Sequence, residues 1–298
     1  MNSNKFDVLK QRFFRFLYTM KLITSSLLLI VLAKVCSAQY YYKDIVTIRQ
    51  NEARVKLYRD LRVKSVKLTS FERDGSPTEG FTGGQEISAD GSHMTTHTKA
   101  TGAAESWIVA TYSPQGLTLK ASDTSDSYRS VSDYLYDAQG RIQSILNTAI
   151  ETDNHLKDLE LHLWQYDASG KPSAMTKIKN NTDTTVIRFV LDEKGNIAEE
   201  RAVRNKTDLP AIFYYYDADN RLTDIVRYSP KAQRLLPDNI FEYGEGGQLS
   251  SMLVVPDGSN QYLKWLYEYN EKGLKVKESC YSKDKQLLGR IEYQYIYK

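Results

Sequence analysis

The sequence predicts an all-β protein of tandem antiparallel β-hairpins, laid out as an extended curved sheet with a short N-terminal helix as cap. Three observations lead there. A five-residue turn motif recurs along most of the 298 residues. Large apolar or aromatic residues stand at every second position before each copy. Once an N-terminal leader is set aside, Cys280 is the only cysteine, so a core must hold the chain without an internal disulfide.

The chain opens with a candidate leader. Lys21 precedes an apolar run from Leu22 to Leu32, and Cys36-Ser37-Ala38 follows it, which is the charged, apolar and small-residue order of a secretory signal. The run is about half the ~20 residues a membrane-spanning helix needs. Residues 1–38 are therefore expected to be a signal peptide cleaved after Ala38, with Met1 or Met20 as the start, and no transmembrane helix is expected beyond it. Val35 occupies the position before Cys36 where a lipoprotein signal needs a small residue, so lipidation is not expected. The whole chain has a formal net charge of +3, but removing six of its 40 basic and one of its 37 acidic residues with the leader leaves about −2. Such a balance lacks the basic footprint of a nucleic-acid binder, and the run Arg54, Lys56, Arg59, Arg62, Lys64 and Lys67 reads as a solvated face.

Residues 39–86 form an expected N-terminal cap. Ile45, Ile48, Val55 and Leu61 fall near helical spacing, and an alternating stretch from Val63 to Phe71 reads as the strand the helix covers. Gly80 to Gly84 reads as a loop or hinge, and residues 121–130 as a polar connection.

Residues 87–298 form the expected repeat array. Its clearest anchors are Tyr136-Asp137-Ala138-Gln139-Gly140, Tyr166-Asp167-Ala168-Ser169-Gly170 and Tyr216-Asp217-Ala218-Asp219-Asn220. Looser copies begin at Leu191, at Tyr243 (closing on Gly247) and at Tyr269 (closing on Gly273), and weaker ones at Ile87 and Tyr112. Successive anchors lie 25, 24, 30, 25, 25, 27 and 26 residues apart, which is the regularity of a repeat architecture. Asp can bond its own backbone ahead, and Gly or Asn supplies the positive φ that closes a hairpin. Before the anchors, Trp164 and Tyr166, Phe189 and Leu191, Tyr214 and Tyr216, and Trp265, Tyr267 and Tyr269 mark one buried strand face. The last strand, from Arg290 to Lys298, is expected to end the array as an edge.

These anchors resemble the YD-repeat (RHS) family of exported bacterial proteins, in which a Tyr-Asp-x-x-Gly unit repeats at short intervals and successive hairpins wrap into a shell. The resemblance covers residues 130–298 well and 71–130 loosely; Leu191 and Gly244 replace the Tyr and the Asp of the motif. It implies the architecture, as a short array without toxin cargo, and does not imply toxin delivery.

No catalytic constellation stands out. In His93-Met94-Thr95-Thr96-His97, Met94 occupies the place where a zincin has Glu, and no Cys lies nearby. His155 and His162 are isolated, Cys280 reads as a half-buried thiol, and acids such as Glu199, Glu200, Asp224, Glu242 and Glu245 are spread without a distinguished pair. Neither a metal nor a cofactor is expected. Trp107, Trp164 and Trp265 invite a sugar-stacking reading; their alternation says core first, leaving Trp164, Tyr215 and Trp265 as the candidate ligand face.

The function expected is that of an exported, non-enzymatic binding or scaffold module for a protein or glycan partner. Its expected place is the periplasm or cell surface of a Gram-negative bacterium. An outer-membrane-associated β-barrel-like protein is the alternative, with a carbohydrate-active hydrolase behind it.

Overall fold

The structure, a computed structural model, describes residues 40–125, 128–151, 157–229, 232–255 and 261–298. The expected leader, with its expected cleavage site after Ala38, and His155 lie outside the described residues.

One helix, α1 (Lys43–Asp60), precedes β1 (Val63–Phe71), β2 (Thr82–Ile87), β3 (His93–Lys99), β4 (Ser106–Tyr112), β5 (Thr118–Ser125), β6 (Tyr128–Tyr136) and β7 (Ile142–Glu151). Then come β8 (Lys157–Tyr166), β9 (Pro172–Lys179), β10 (Asp183–Leu191), β11 (Ile197–Arg204), β12 (Thr207–Asp208) and β13 (Ile212–Tyr216). The wall ends with β14 (Leu222–Ser229), β15 (Arg234–Tyr243), β16 (Leu249–Val254), β17 (Leu263–Tyr269), β18 (Lys275–Ser282) and β19 (Leu287–Tyr297). Each strand pairs antiparallel with the next, except that the two-residue β12 pairs only with β11 and β13 bonds to β11 directly.

The sheet is not the open curved surface that the repeats suggest. β19 pairs with β1 from Val63↔Tyr297 to Phe71↔Arg290, closing an 18-strand barrel. The last strand is therefore no edge. A repeated local device accounts for the closure. At seven of the eight anchors the strand register slips by one residue just before the turn, for example between Leu135 and Tyr136 and between Gln165 and Tyr166. Each bulge adds twist and bend, and seven on one rim coil the sheet until its ends meet. Closure also removes both unpaired edges.

The turn chemistry is the same from repeat to repeat. Asp137 Oδ1 accepts the backbone N–H groups of Gln139 and Arg141 at 3.0 and 2.9 Å, while Gly140 (φ 74°) donates its N–H to the Asp137 carbonyl. Asp167, Asp192, Asp217 and Asn270 make the same pair of side-chain bonds. At the turn of Asp217, Asn220 replaces glycine at φ 60°, a left-handed conformation that Asn tolerates.

The anchor tyrosines bind neighbouring repeats together. The hydroxyls of Tyr136, Tyr166, Tyr216 and Tyr243 donate to the carbonyls of Thr118, Ile142, Ile197 and Leu222 at 2.8–2.9 Å, in each case at the start of the strand after the preceding anchor turn. Arg141, paired with Asp137 at 2.7 Å, places its guanidinium 4.5 Å from the centre of the Tyr166 ring, and Arg221 repeats this over Tyr243 at 4.9 Å.

Two local expectations are corrected. Among the described residues of 121–130, those from 121 to 125 belong to β5 and those from 128 to 130 to β6, paired with each other, and are strand and not a connection. Gly83 and Gly84 lie inside β2, paired with both β1 and β3, and not in a loop or hinge. The helix packs on the first strand, with Val55 and Tyr58 in one core with Val63, Val66 and Leu68 of β1.

Beyond β1, α1 crosses the barrel at the anchor-turn rim. Its 18 residues measure about 27 Å at 1.5 Å per residue, enough to reach between distant parts of the wall. Asp44 in the first turn and Arg59 in the last complement the helix dipole. Ile45, Ile48, Val55 and Tyr58 are buried on one side, while Thr47, Arg49, Gln50, Arg54 and Lys56 face solvent. The N-terminal half packs with Tyr41 and Tyr42 into a core containing Trp164, Met175, Ile187, Phe189, Ile197, Tyr214 and Ile225. The C-terminal half packs Val55 and Tyr58 into a second core with Val66, Met94, Trp265, Leu274, Cys280 and Ile291. Arg59 donates to the carbonyls of Gly91, Ser113 and Pro114, fastening the far end to two anchor turns.

Candidate functional site

Two polar groups fix the start of α1 to the wall. Glu200, 1% exposed on the inner face of β11, accepts the backbone N–H groups of Tyr41 and Tyr42 at 2.9 and 3.1 Å and the hydroxyl of Tyr214 at 2.8 Å, all through Oε2. Oε1 has no hydrogen-bond partner among the described residues. Burial raises this carboxyl to a pKa of about 7, against the opposing pull of its three donors.

His162, on the inner face of β8, bonds Asp44 through Nδ1 at 2.6 Å and Glu160 through Nε2 at 2.9 Å, and Glu160 in turn meets Lys177 Nζ at 2.7 Å. Burial opposes the imidazolium charge, but the two carboxylates outweigh it and carry the pKa to about 9. With both ring nitrogens committed to carboxylates, the protonated ring has no lone pair to act as a base. These groups anchor the helix.

The outer face of the barrel has two characters. Outward positions of β7, β8 and β9 run Leu146, Thr148 and Ile150, then Lys157, Leu159, Leu161, Leu163 and Gln165, then Ala174, Thr176 and Ile178, mostly apolar, with the charge of Lys157 at the end of the row opposite Ile150. On β10 the outward Val186 and Val190 flank an exposed Arg188, which stands opposite Ala174. On the sector from β15 to β19, outward charges pair across and along strands: Lys264 with Glu242, Lys277 with Glu268, and Arg290 with Glu292.

Between these sectors a groove of about 380 Å³ lies on the outer surface of β1–β4. The register aligns Lys67, Gly84, His97 and Trp107 across four strands. Gly84 leaves its outward position without a side chain, and an added Cβ would stand 3.0 Å from the Val66 carbonyl oxygen. One wall is aromatic: His97 stacks on Trp107 with ring centres 4.1 Å apart, and Glu105 holds His97 Nε2 at 2.7 Å. Lys67, Glu86 and Ile296 are among the other lining residues, with Ser65, Thr82 and Thr95, and neither Lys67 nor Glu86 makes an ion pair among the described residues.

The residues singled out from sequence do not share one face. Trp164 (5% exposed) and Trp265 (8%) lie in the two cores, Trp164 stacked on Phe189 at 5.4 Å. Tyr215 (49% exposed) is on the outer wall, in a separate groove of about 520 Å³ with Asp192, Phe213 and Asp217. Trp107, 45% exposed, is the tryptophan that reaches the surface. Its position relative to an anchor carried the signal. Trp164 stands two residues before Tyr166 and Trp265 four before Tyr269, in the inward phase; Trp107 stands five before Tyr112, in the outward phase. Gly84 and His97 had no comparable signal, because their alignment depends on strand register. Among the described residues, no group of three or more His, Cys, Asp or Glu side chains is placed to hold a metal ion.

No family model and no curated protein matches the sequence. Among solved structures, a porin-like protein from Bacteroides uniformis ATCC 8492 is 11% identical, with a TM-score of 0.37, over 78% of this chain and 98% of that one. A porin-like protein from Bacteroides vulgatus ATCC 8482 is 12% identical, with a TM-score of 0.26 over 78% and 98% of the two chains. A TcdB2–TccC3–Cdc42 crystal structure is 14% identical over 73% of this chain, with a TM-score of 0.32, and the match spans 12% of that chain's length.

Proposed function

We propose that the protein is an exported, non-enzymatic barrel of the Gram-negative envelope that rests against the outer membrane by one apolar sector and binds a partner on its outer wall. The observation carrying this reading is the division of the exterior between the mostly apolar rows of β7–β9, bordered by Lys157 at one end and Arg188 on β10, and the ion-paired rows of β15–β19. A spanning barrel presents an apolar band about 25 Å tall around its whole circumference. Here the paired charges would meet lipid, at a cost of ~2–4 kcal/mol for each Lys or Arg near the midplane. The polar lumen of a porin also has no counterpart at the anchor-turn rim, where α1 and two apolar cores occupy the interior. The function therefore resides on the outer wall, in the manner of the outer-membrane-associated alternative, and not in conduction.

The test uses the chain from residue 39 onward, purified without detergent. It should be soluble, float with vesicles of outer-membrane lipid, and lose flotation in the double variant Leu163→Glu/Val186→Glu, which changes two exposed side chains. It should produce no conductance in planar bilayers. Discrete channel openings, or folding only in the presence of detergent, would overturn the proposal.

A further inference from the structure

We propose that the groove over Gly84 binds a neutral pyranose of a glycan, its C–H-rich face stacked on the Trp107–His97 wall. The inference deepens the reading of the outer wall as a binding surface and rests on it. Four observations support it. The groove, about 380 Å³, lies within the ~300–1,000 Å³ range of small-ligand sites. Its floor is bare because Gly84 stands where neighbouring strands carry outward side chains, so a flat ring can approach the backbone. Its aromatic wall is held in advance: Glu105 fixes His97, and His97 supports the Trp107 ring, so little side-chain freedom remains to be lost on binding. The polar lining supplies both donor and acceptor, in Lys67 and Glu86, on an exterior where many charges are already paired.

That combination matches a sugar better than other small ligands. An aromatic face takes the axial C–H groups of a pyranose, while an ammonium donor and a carboxylate acceptor take its hydroxyls. The carboxylates Glu86 and Glu105 disfavour an anionic saccharide. Lys67 alone does not form the guanidinium cluster that phosphate recognition uses. The Tyr215 groove has Asp192 and Asp217 beside its ring, but both carboxylates are already engaged in turn hydrogen bonds.

Iodide quenching of tryptophan fluorescence provides the assay, because Trp107 is exposed whereas Trp164 and Trp265 are buried. The probes are β-1,4-linked gluco- and galacto-oligosaccharides at millimolar concentration, with chondroitin sulfate as the anionic comparison. The neutral probes should protect the iodide-accessible fraction, and that fraction should vanish in Trp107→Phe. Isothermal titration should show Trp107→Ala losing about tenfold in affinity, or ~1.4 kcal/mol, with Trp107→Tyr losing less and Glu86→Gln weakening binding. Circular dichroism checks that each variant keeps its fold. Failure of every neutral probe to protect Trp107 in folded protein, or equal binding of the anionic polymer, overturns the proposal. Vesicle flotation of the same samples separates this outcome from failure of the envelope reading, since the groove lies outside the β7–β10 sector.

Discussion

Replacing Glu200 by Gln should remove a pH dependence that the wild-type chain carries. In the folded protein the carboxyl keeps its proton up to about pH 7, against 4.5 for the unperturbed group. Between these values the native state binds more protons than the unfolded state, so stability falls as pH rises and the loss is complete above pH 7. A shift of this size corresponds to about 3 kcal/mol at 1.36 kcal/mol per pKa unit. Glutamine retains an oxygen for the Tyr41 and Tyr42 N–H groups and the Tyr214 hydroxyl, and its amide has no charge to gain. Urea unfolding of both proteins at pH 5 and pH 8 gives the quantity of interest, the wild-type minus variant difference at each pH. Taking that difference cancels the titration of every other group. The difference should move by about 2–3 kcal/mol against the wild type on going to pH 8. Equal differences at the two pH values would show that Glu200 titrates normally, and would refute its burial against the helix N-terminus.

Other measurements address other parts of the structure. His162 is held charged by Asp44 and Glu160, with its pKa raised to about 9, so its stabilisation is fully present below about pH 6.5 and is lost as pH rises through 9. His162→Gln should flatten the wild-type decline over that window, of order 3 kcal/mol, in the same unfolding assay. Tyr166→Phe deletes the hydroxyl bonded to the Ile142 carbonyl and should cost about 1 kcal/mol while leaving the ring beneath Arg141. Spectrophotometric titration should find the Tyr166 phenol resisting ionisation to about pH 12, because burial disfavours the phenolate. Cys280, 1% exposed, should react with a thiol reagent only as fast as the barrel opens; immediate labelling of native protein would contradict its place in the second core.

The anchors made the repeat legible because each turn is specified locally. An Asp accepting two N–H groups and a Gly or Asn at positive φ need only five residues to recognise. The inward phase of Trp164, Tyr214 and Trp265 followed from the same anchors by alternation. Closure was not legible, since it depends on bulges summed over many strands and on a pairing between residues more than 200 positions apart. The serine- and threonine-rich stretch 121–130 read as a connection because its turn-formers masked strands that pairing stabilises. The groove was hidden for a similar reason. Gly84 reads locally as a loop residue, and only register shows it beside His97 and opposite Lys67. Glu200 was visible as an acid next to Glu199, but the backbone groups that explain its burial come from residues 158 and 159 positions away.

Fractionation of the native host tests the proposed role most directly: envelopes are washed with alkaline carbonate, and the mature N-terminus is read by mass spectrometry. The expected result is a chain beginning at Gln39 that co-sediments with outer membrane and is released by carbonate, as a barrel touching lipid along one sector would be. Retention through the carbonate wash with heat-modifiable migration on a gel would instead mark an integral barrel, and recovery in the cytoplasm with residues 1–38 intact would contradict export altogether.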